Sequence, residues 1–165
     1  MLTKLPGRQG GVTLVELMVT VVITGILMAV GIPQMGEWIR RNSIGSAAET
    51  VQNGLRQAEA EAIRRNQRVE FLLTNATPSQ SGILSLAAAG NGQNWAVRVL
   101  GTTDATLAYV SGFQMTEISS AVELTGPASV FFTGMGRVTD SAGAAVTEYQ
   151  VYRLSRSGAD RAVCV

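Results

Sequence analysis

From Val12 to Ile32 the chain runs for 21 residues with a single ionisable side chain, Glu16. Wound as an α-helix at about 1.5 Å per residue, that stretch is about 31 Å long, which matches a bilayer's hydrocarbon core. The direct reading is a transmembrane helix over 12–32. Such a segment also accounts for a composition that is 46% hydrophobic and 15% charged, apolar for a chain of 165 residues. The residues before it, 1–11, are short, polar and basic through Lys4 and Arg8, and they end in Gly10-Gly11. An ordinary secretory signal places small residues after its apolar region, whereas here they stand before it. Cleavage at this point would therefore spare the hydrophobic segment. Basic residues do not orient the helix, because Lys4 and Arg8 on one side are balanced by Arg40 and Arg41 on the other.

Beyond Pro33 the pattern changes to an amphipathic helix. Ile44, Ala48, Val51, Leu55, Ala58 and Ala62 recur at alternating steps of four and three, which puts them on one face. Arg40, Glu49, Asn53, Arg56, Gln57, Glu61, Arg64 and Arg65 occupy the other. The spacing predicts a helix over 33–66 that continues the membrane segment and packs its stripe on a sheet. From Arg68 onward, β-rich runs alternate with Gly, Ser, Thr, Asn and Pro, predicting strands over 68–74, 82–87, 95–100, 121–125, 129–133 and 149–154. The stretches 75–81, 101–106 and 139–147 read as loops. The expected fold class is α+β, a long N-terminal helix on a small antiparallel sheet, with 67–165 forming one β-rich globular domain.

Several function classes lose their chemistry at this level. The chain has no histidine, so the usual general base and most zinc and di-iron ligand sets are missing. Its sole lysine, Lys4, lies before the apolar helix, so a Ser-Lys hydrolase has no base. Asp104, Glu117, Glu123, Asp140 and Glu148 are scattered, without the dense oxygen-ligand spacing of a calcium loop. Neither an enzyme nor a metal or cofactor site is expected. A formal charge of +1 supplies no overall field for nucleic acid or anionic lipid. One cysteine, Cys164, cannot close an intramolecular disulfide.

The string Gly11-Val12-Thr13-Leu14-Val15-Glu16-Leu17 resembles the processing site of type IV prepilins and type II secretion pseudopilins. It departs from the usual pattern only in having Val12 where phenylalanine is common. Pro33, the twenty-second residue counted from Val12, falls where pilins commonly carry a helix-bending proline. Two later segments, Ala60-Glu61-Ala62-Ile63-Arg64-Arg65-Asn66-Gln67-Arg68-Val69 and Phe131-Phe132-Thr133-Gly134-Met135-Gly136-Arg137, look like the GspH/FimT family of minor pilins and pseudopilins. The resemblance implies a type IV pilin-like fold and a structural subunit that initiates or caps a filament in pilus biogenesis or protein secretion. It implies that prepilin peptidase cuts between Gly11 and Val12 and that Val12 is then N-methylated. It also implies that Glu16 meets the free Val12 amine of a neighbouring pilin, and that Pro33 serves assembly. The expected location is the bacterial inner membrane, with the leader cytoplasmic and the C-terminal domain periplasmic.

A second functional reading comes from the C-terminus. FimT-like minor pilins bind DNA in competence through a C-terminal glycine-arginine motif, which Ser157-Gly158-Ala159-Asp160-Arg161-Ala162-Val163-Cys164 resembles imperfectly, with an aspartate intruding. Arg137, Arg153, Arg156 and Arg161 are the candidate DNA contacts. So few cations neutralise only as many phosphates, so the expected binding is weak, salt-sensitive and independent of sequence.

Overall fold

A computed structural model describes residues 11–157 and 163–165, and the backbone alone at Pro33 and Gln34. The chain divides between Trp38 and Ile39 into two compact units. Helix α1 covers Leu14–Arg65. Thr13 caps its start: the Thr13 hydroxyl accepts a hydrogen bond from the Glu16 amide at 3.2 Å, and the Thr13 carbonyl accepts from the Leu17 amide at 3.1 Å. Thr13-Leu14-Val15-Glu16 thus has the spacing of a capping box, which satisfies an amide that has no partner within the helix.

At its other end α1 is closed by Asn66, which adopts the left-handed conformation at φ 50°. The Gln67 amide reaches back to the Ala62 carbonyl and the Asn66 amide to the Ile63 carbonyl, both at 3.2 Å. This pair of bonds is the Schellman motif, and asparagine is the residue other than glycine that best tolerates its φ. The stop sends the chain straight into the sheet.

Eight strands follow among the described residues. β1 (Val69–Thr74), β2 (Asn94–Val99), β3 (Tyr109–Gln114), β5 (Ser129–Phe132) and β6 (Val138–Thr139) make one antiparallel sheet in the order β3-β2-β1-β5-β6. β4 (Val122–Thr125), β7 (Arg153–Arg156) and β8 (Val163–Cys164) make a second, in the order β4-β7-β8. The stripe predicted on α1 faces the core, where Ile44, Ala48, Val51, Ala58 and Ala62 are buried and Leu55 is half-buried. They pack with Val69, Phe71, Leu73, Trp95, Val97, Leu124 and Leu154 from the two sheets and with Tyr152, just before β7. The stripe also includes Ala47 and Gly54, which complete a row of small residues. Gly54 sits directly over the stacked rings of Phe71 and Trp95, whose centroids are 5.5 Å apart. A Cβ at Gly54 would lie 2.8 Å from a Phe71 ring carbon and 2.9 Å from Trp95.

β1 is buried on both faces, which is why it reads as an unbroken apolar run around one acid. Its second face holds Leu72 with Ile83, Leu86, Ala96 and Ala108. The same face holds Glu70, only 3% exposed, whose carboxylate accepts from the Arg98 guanidinium at 2.7 Å and from the Ser129 hydroxyl at 2.6 Å. Arg98 further donates to the carbonyls of Ile83 at 3.0 Å and Leu86 at 3.2 Å. A charge buried this deeply persists because each of its oxygens is hydrogen-bonded.

The main differences from the sequence-based expectation concern the connections. Residues 82–87, expected as a strand, instead contain a 3-10 turn at Ile83–Ser85. Ile83 and Leu86 are three residues apart and both buried in the same cluster; an extended chain would have pointed them to opposite faces. The strand expected over 149–154 lies further on, at Arg153–Arg156, with Tyr149 97% exposed before it. Within and after the expected 101–106 loop, Asp104 caps a helical turn, α2 (Ala105–Ala108), through its carboxylate and the Thr106 amide at 2.8 Å. A bond from the Thr106 hydroxyl, followed by this amide bond, lowers the Asp104 pKa. β3 lies outside the strands that the sequence predicts; its residues are uniformly half-buried and show no alternation.

Candidate functional site

Every residue from Gly11 to Ile32 is exposed, including Val12 at 73% and an unbroken series of large apolar side chains on all sides of α1. An apolar helix surface of this extent is covered by lipid or by other helices in any stable state. The helix is long and apolar enough to cross a membrane. Its two hydroxyls inside the apolar stretch are satisfied within the helix, Thr20 donating to the Leu17 carbonyl at 2.8 Å and Thr24 to the Thr20 carbonyl at 2.7 Å. They carry no unmet donor into an apolar environment.

The structure brings the first part of the processing motif into one turn. Gly11 and Val12 precede the helix as exposed, non-helical backbone, Thr13 caps it, and Glu16 stands in the first turn beyond, exposed. The Gly11-Val12 bond thus lies outside regular structure. Glu16 lies where a helix's N-terminal partial charge favours an anion. Pro33 lies within the residues assigned to α1, Leu14–Arg65.

The candidate arginines among the described residues, Arg137, Arg153 and Arg156, are spread over both sheets. Arg153 and Arg156, three residues apart on β7, point to opposite faces of their sheet. Arg156 shares the inward face with Leu154 and donates to the Ser43 hydroxyl of α1 at 2.7 Å, whereas Arg153 is exposed beside Thr125. Arg137 is exposed in the hairpin of the other sheet, and Arg161 lies outside the described residues. Cys164 is free and exposed, paired across the strands with Arg153, while its neighbours Val163 and Val165 pack on the core.

The two later family-like segments, with 61 residues between them in sequence, meet in space. Val69 pairs with Phe132 and Glu70 with Phe131 along β1 and β5. The Arg68 guanidinium stands 5.3 Å over the Phe131 ring. The hairpin Thr133–Arg137 closes through Gly136, at φ +72°, against the end of α1, where Gly136 and Gly134 face Ile63 and Asn66. These segments are a helix terminus and the turn that packs on it, which explains why their glycines and asparagine occur together.

Residues 47–165 match the family model described as type II transport protein GspH. The chain belongs to the GspH family. Residues 6–32 match the prokaryotic N-terminal methylation motif. Two crystal structures of the type IV minor pilin FimU of Pseudomonas aeruginosa are similar to it. One is 13% identical, with 78% of this chain and 85% of that chain covered and a TM-score of 0.49. The other is 12% identical, with 73% and 84% covered and a TM-score of 0.44. As a GspH-family protein the chain is a pseudopilin or minor pilin, a membrane-anchored structural subunit that assembles with other pilins. Its methylation motif marks it for the prepilin peptidase. The family resemblance read from the motifs and the α+β architecture expected with it are both borne out.

Proposed function

We propose that residues 1–11 are a cytoplasmic leader removed by cleavage between Gly11 and Val12, and that Val12 becomes the methylated N-terminus of the mature subunit. The subunit waits in the inner membrane on the first half of α1, with its β-rich domain in the periplasm. It then enters the base of a filament as an initiating or capping subunit of a type II secretion pseudopilus or a type IV pilus. Glu16, paired with the Val12 amine of the neighbouring subunit, sets the register of entry, and Pro33 lets the helix adjust as it packs.

The observation that carries this reading is Glu16 itself. It is the one ionisable side chain between Val12 and Ile32, a stretch in which every residue is exposed in the single chain. An unpaired carboxylate transferred to an apolar filament core costs about 3 kcal/mol or more, and an amine partner offsets that cost. Glu16→Ala is therefore expected to be cleaved normally, to remain in the membrane fraction and to be absent from sheared filaments. Normal incorporation of that variant would overturn the assigned role. Gly11→Val is expected to stop earlier, leaving the uncleaved chain in the membrane.

A further inference from the structure

Within the first unit the longest stretch without an ionisable group is not Val12–Ile32 but Leu17–Gly36, bounded by Glu16 and Glu37. Those twenty residues, all assigned to α1, rise about 30 Å, one hydrocarbon thickness. Trp38 follows at once. It lies 22 residues beyond Glu16, about 33 Å along the helix. Trp38 is 67% exposed, with Met35 one turn before it 60% exposed, whereas the other tryptophan, Trp95, is buried. An exposed tryptophan one membrane thickness from a lone carboxylate fits the boundary between acyl chains and headgroups, where its ring is apolar and its N–H remains wet.

We infer that the membrane-stored subunit is seated with Leu17–Gly36 in the hydrocarbon, Glu16 at the cytoplasmic headgroup boundary and Trp38 at the periplasmic one. The occupant of the Met35–Trp38 surface is the lipid interface. Compared with a span over 12–32, this register moves the helix by four to five residues and takes the Glu16 carboxylate out of the hydrocarbon, where a charge is most costly. It leaves Val12 and its amine on the aqueous side, within reach of a cytoplasmic-face peptidase. The inference rests on the membrane storage proposed above, and the experiment separates the two.

The full-length chain is reconstituted into phosphatidylcholine vesicles containing lipids brominated either near the ester carbonyls or near the chain ends, and tryptophan emission is read. The chain has two tryptophans, so Trp38→Phe supplies the Trp95 background. The expected result is loss of Trp38 emission to the shallow bromines, less loss to the deep ones and little to aqueous iodide. Stronger quenching by the deep bromines, or by iodide, in a chain that floats with the vesicles would overturn the register while leaving membrane storage standing. Protection of Trp38 from bromines and iodide alike would assign the surface to a second copy of the helix and overturn it as well. A chain that fails to float with vesicles would overturn membrane storage and the register together.

Discussion

Gly134 lies against Asn66 so closely that a Cβ added there would stand 3.0 Å from the Asn66 Cα and closer still to its side-chain amide oxygen. Asn66 is in turn the left-handed residue that ends α1. The turn after β5 and the terminus of the helix therefore fix one another, and neither can move without displacing backbone. Gly134→Ala is expected to cost about 1–3 kcal/mol, the usual range for forcing an extra carbon into a packed contact. Thermal unfolding of the detergent-solubilised chain checks this; an unchanged Tm would mean that the contact yields freely.

The Glu70–Arg98 pair makes a stronger demand. Removing the guanidinium leaves a carboxylate at 3% exposure with only the Ser129 hydroxyl, and frees the carbonyls of Ile83 and Leu86 that Arg98 holds. Arg98→Ala is expected to destabilise by about 3–5 kcal/mol. Replacing both partners, Glu70→Leu with Arg98→Met, recovers much of that loss, because no charge is then stranded. A double-mutant cycle by urea denaturation measures the difference.

At Gly54 two effects oppose one another. Alanine favours the helix by about 1 kcal/mol over glycine, but its methyl would overlap the Phe71 and Trp95 rings at 2.8–2.9 Å. Since the rings are stacked and buried, the overlap wins, and Gly54→Ala is expected to be destabilising by about 1–2 kcal/mol net. A shift in the near-ultraviolet aromatic dichroism should accompany it, reporting the displaced indole.

Glu61 links stability to pH. Its carboxylate receives hydrogen bonds from Arg64 and from Arg65 at 2.7 Å each, and Arg65 also donates to the Leu107 carbonyl at 2.9 Å. The Arg64 bond, then the Arg65 bond, hold the Glu61 pKa below its ordinary value of 4.5 against an opposing effect of burial. A carboxylate whose folded-state pKa is lowered contributes stability above its unfolded pKa and loses it as the pH falls through the folded one. Stability is therefore expected to decline as the pH drops below about 4.5. Glu61→Gln should be less stable than the parent at pH 7, with the gap narrowing in acid. A gap that is constant from pH 7 to strongly acid solution would remove Glu61 from the account.

The sequence by itself determined the parts of this protein that depend on local chemistry. The apolar run and the lone Glu16 are legible because a membrane acts on a contiguous stretch of neighbouring residues. The stripe from Ile44 to Ala62 is legible because a helix repeats its face every 3.6 residues. β1, β2, β4 and β5 were close to their expected limits for the same reason, being short apolar runs between turn residues.

The tertiary structure decided what depends on contacts far apart in the chain. Ile83 and Leu86 read as an extended run and became a turn, since only a turn puts both on the second face of β1. Gly54 carries no local signal, because its role comes from two rings that arrive later in the chain. Arg153 and Arg156 read as one basic cluster, yet the strand's period of two sends one to solvent and the other to Ser43, 113 residues away. Periodicity names a face, but only packing determines what that face meets.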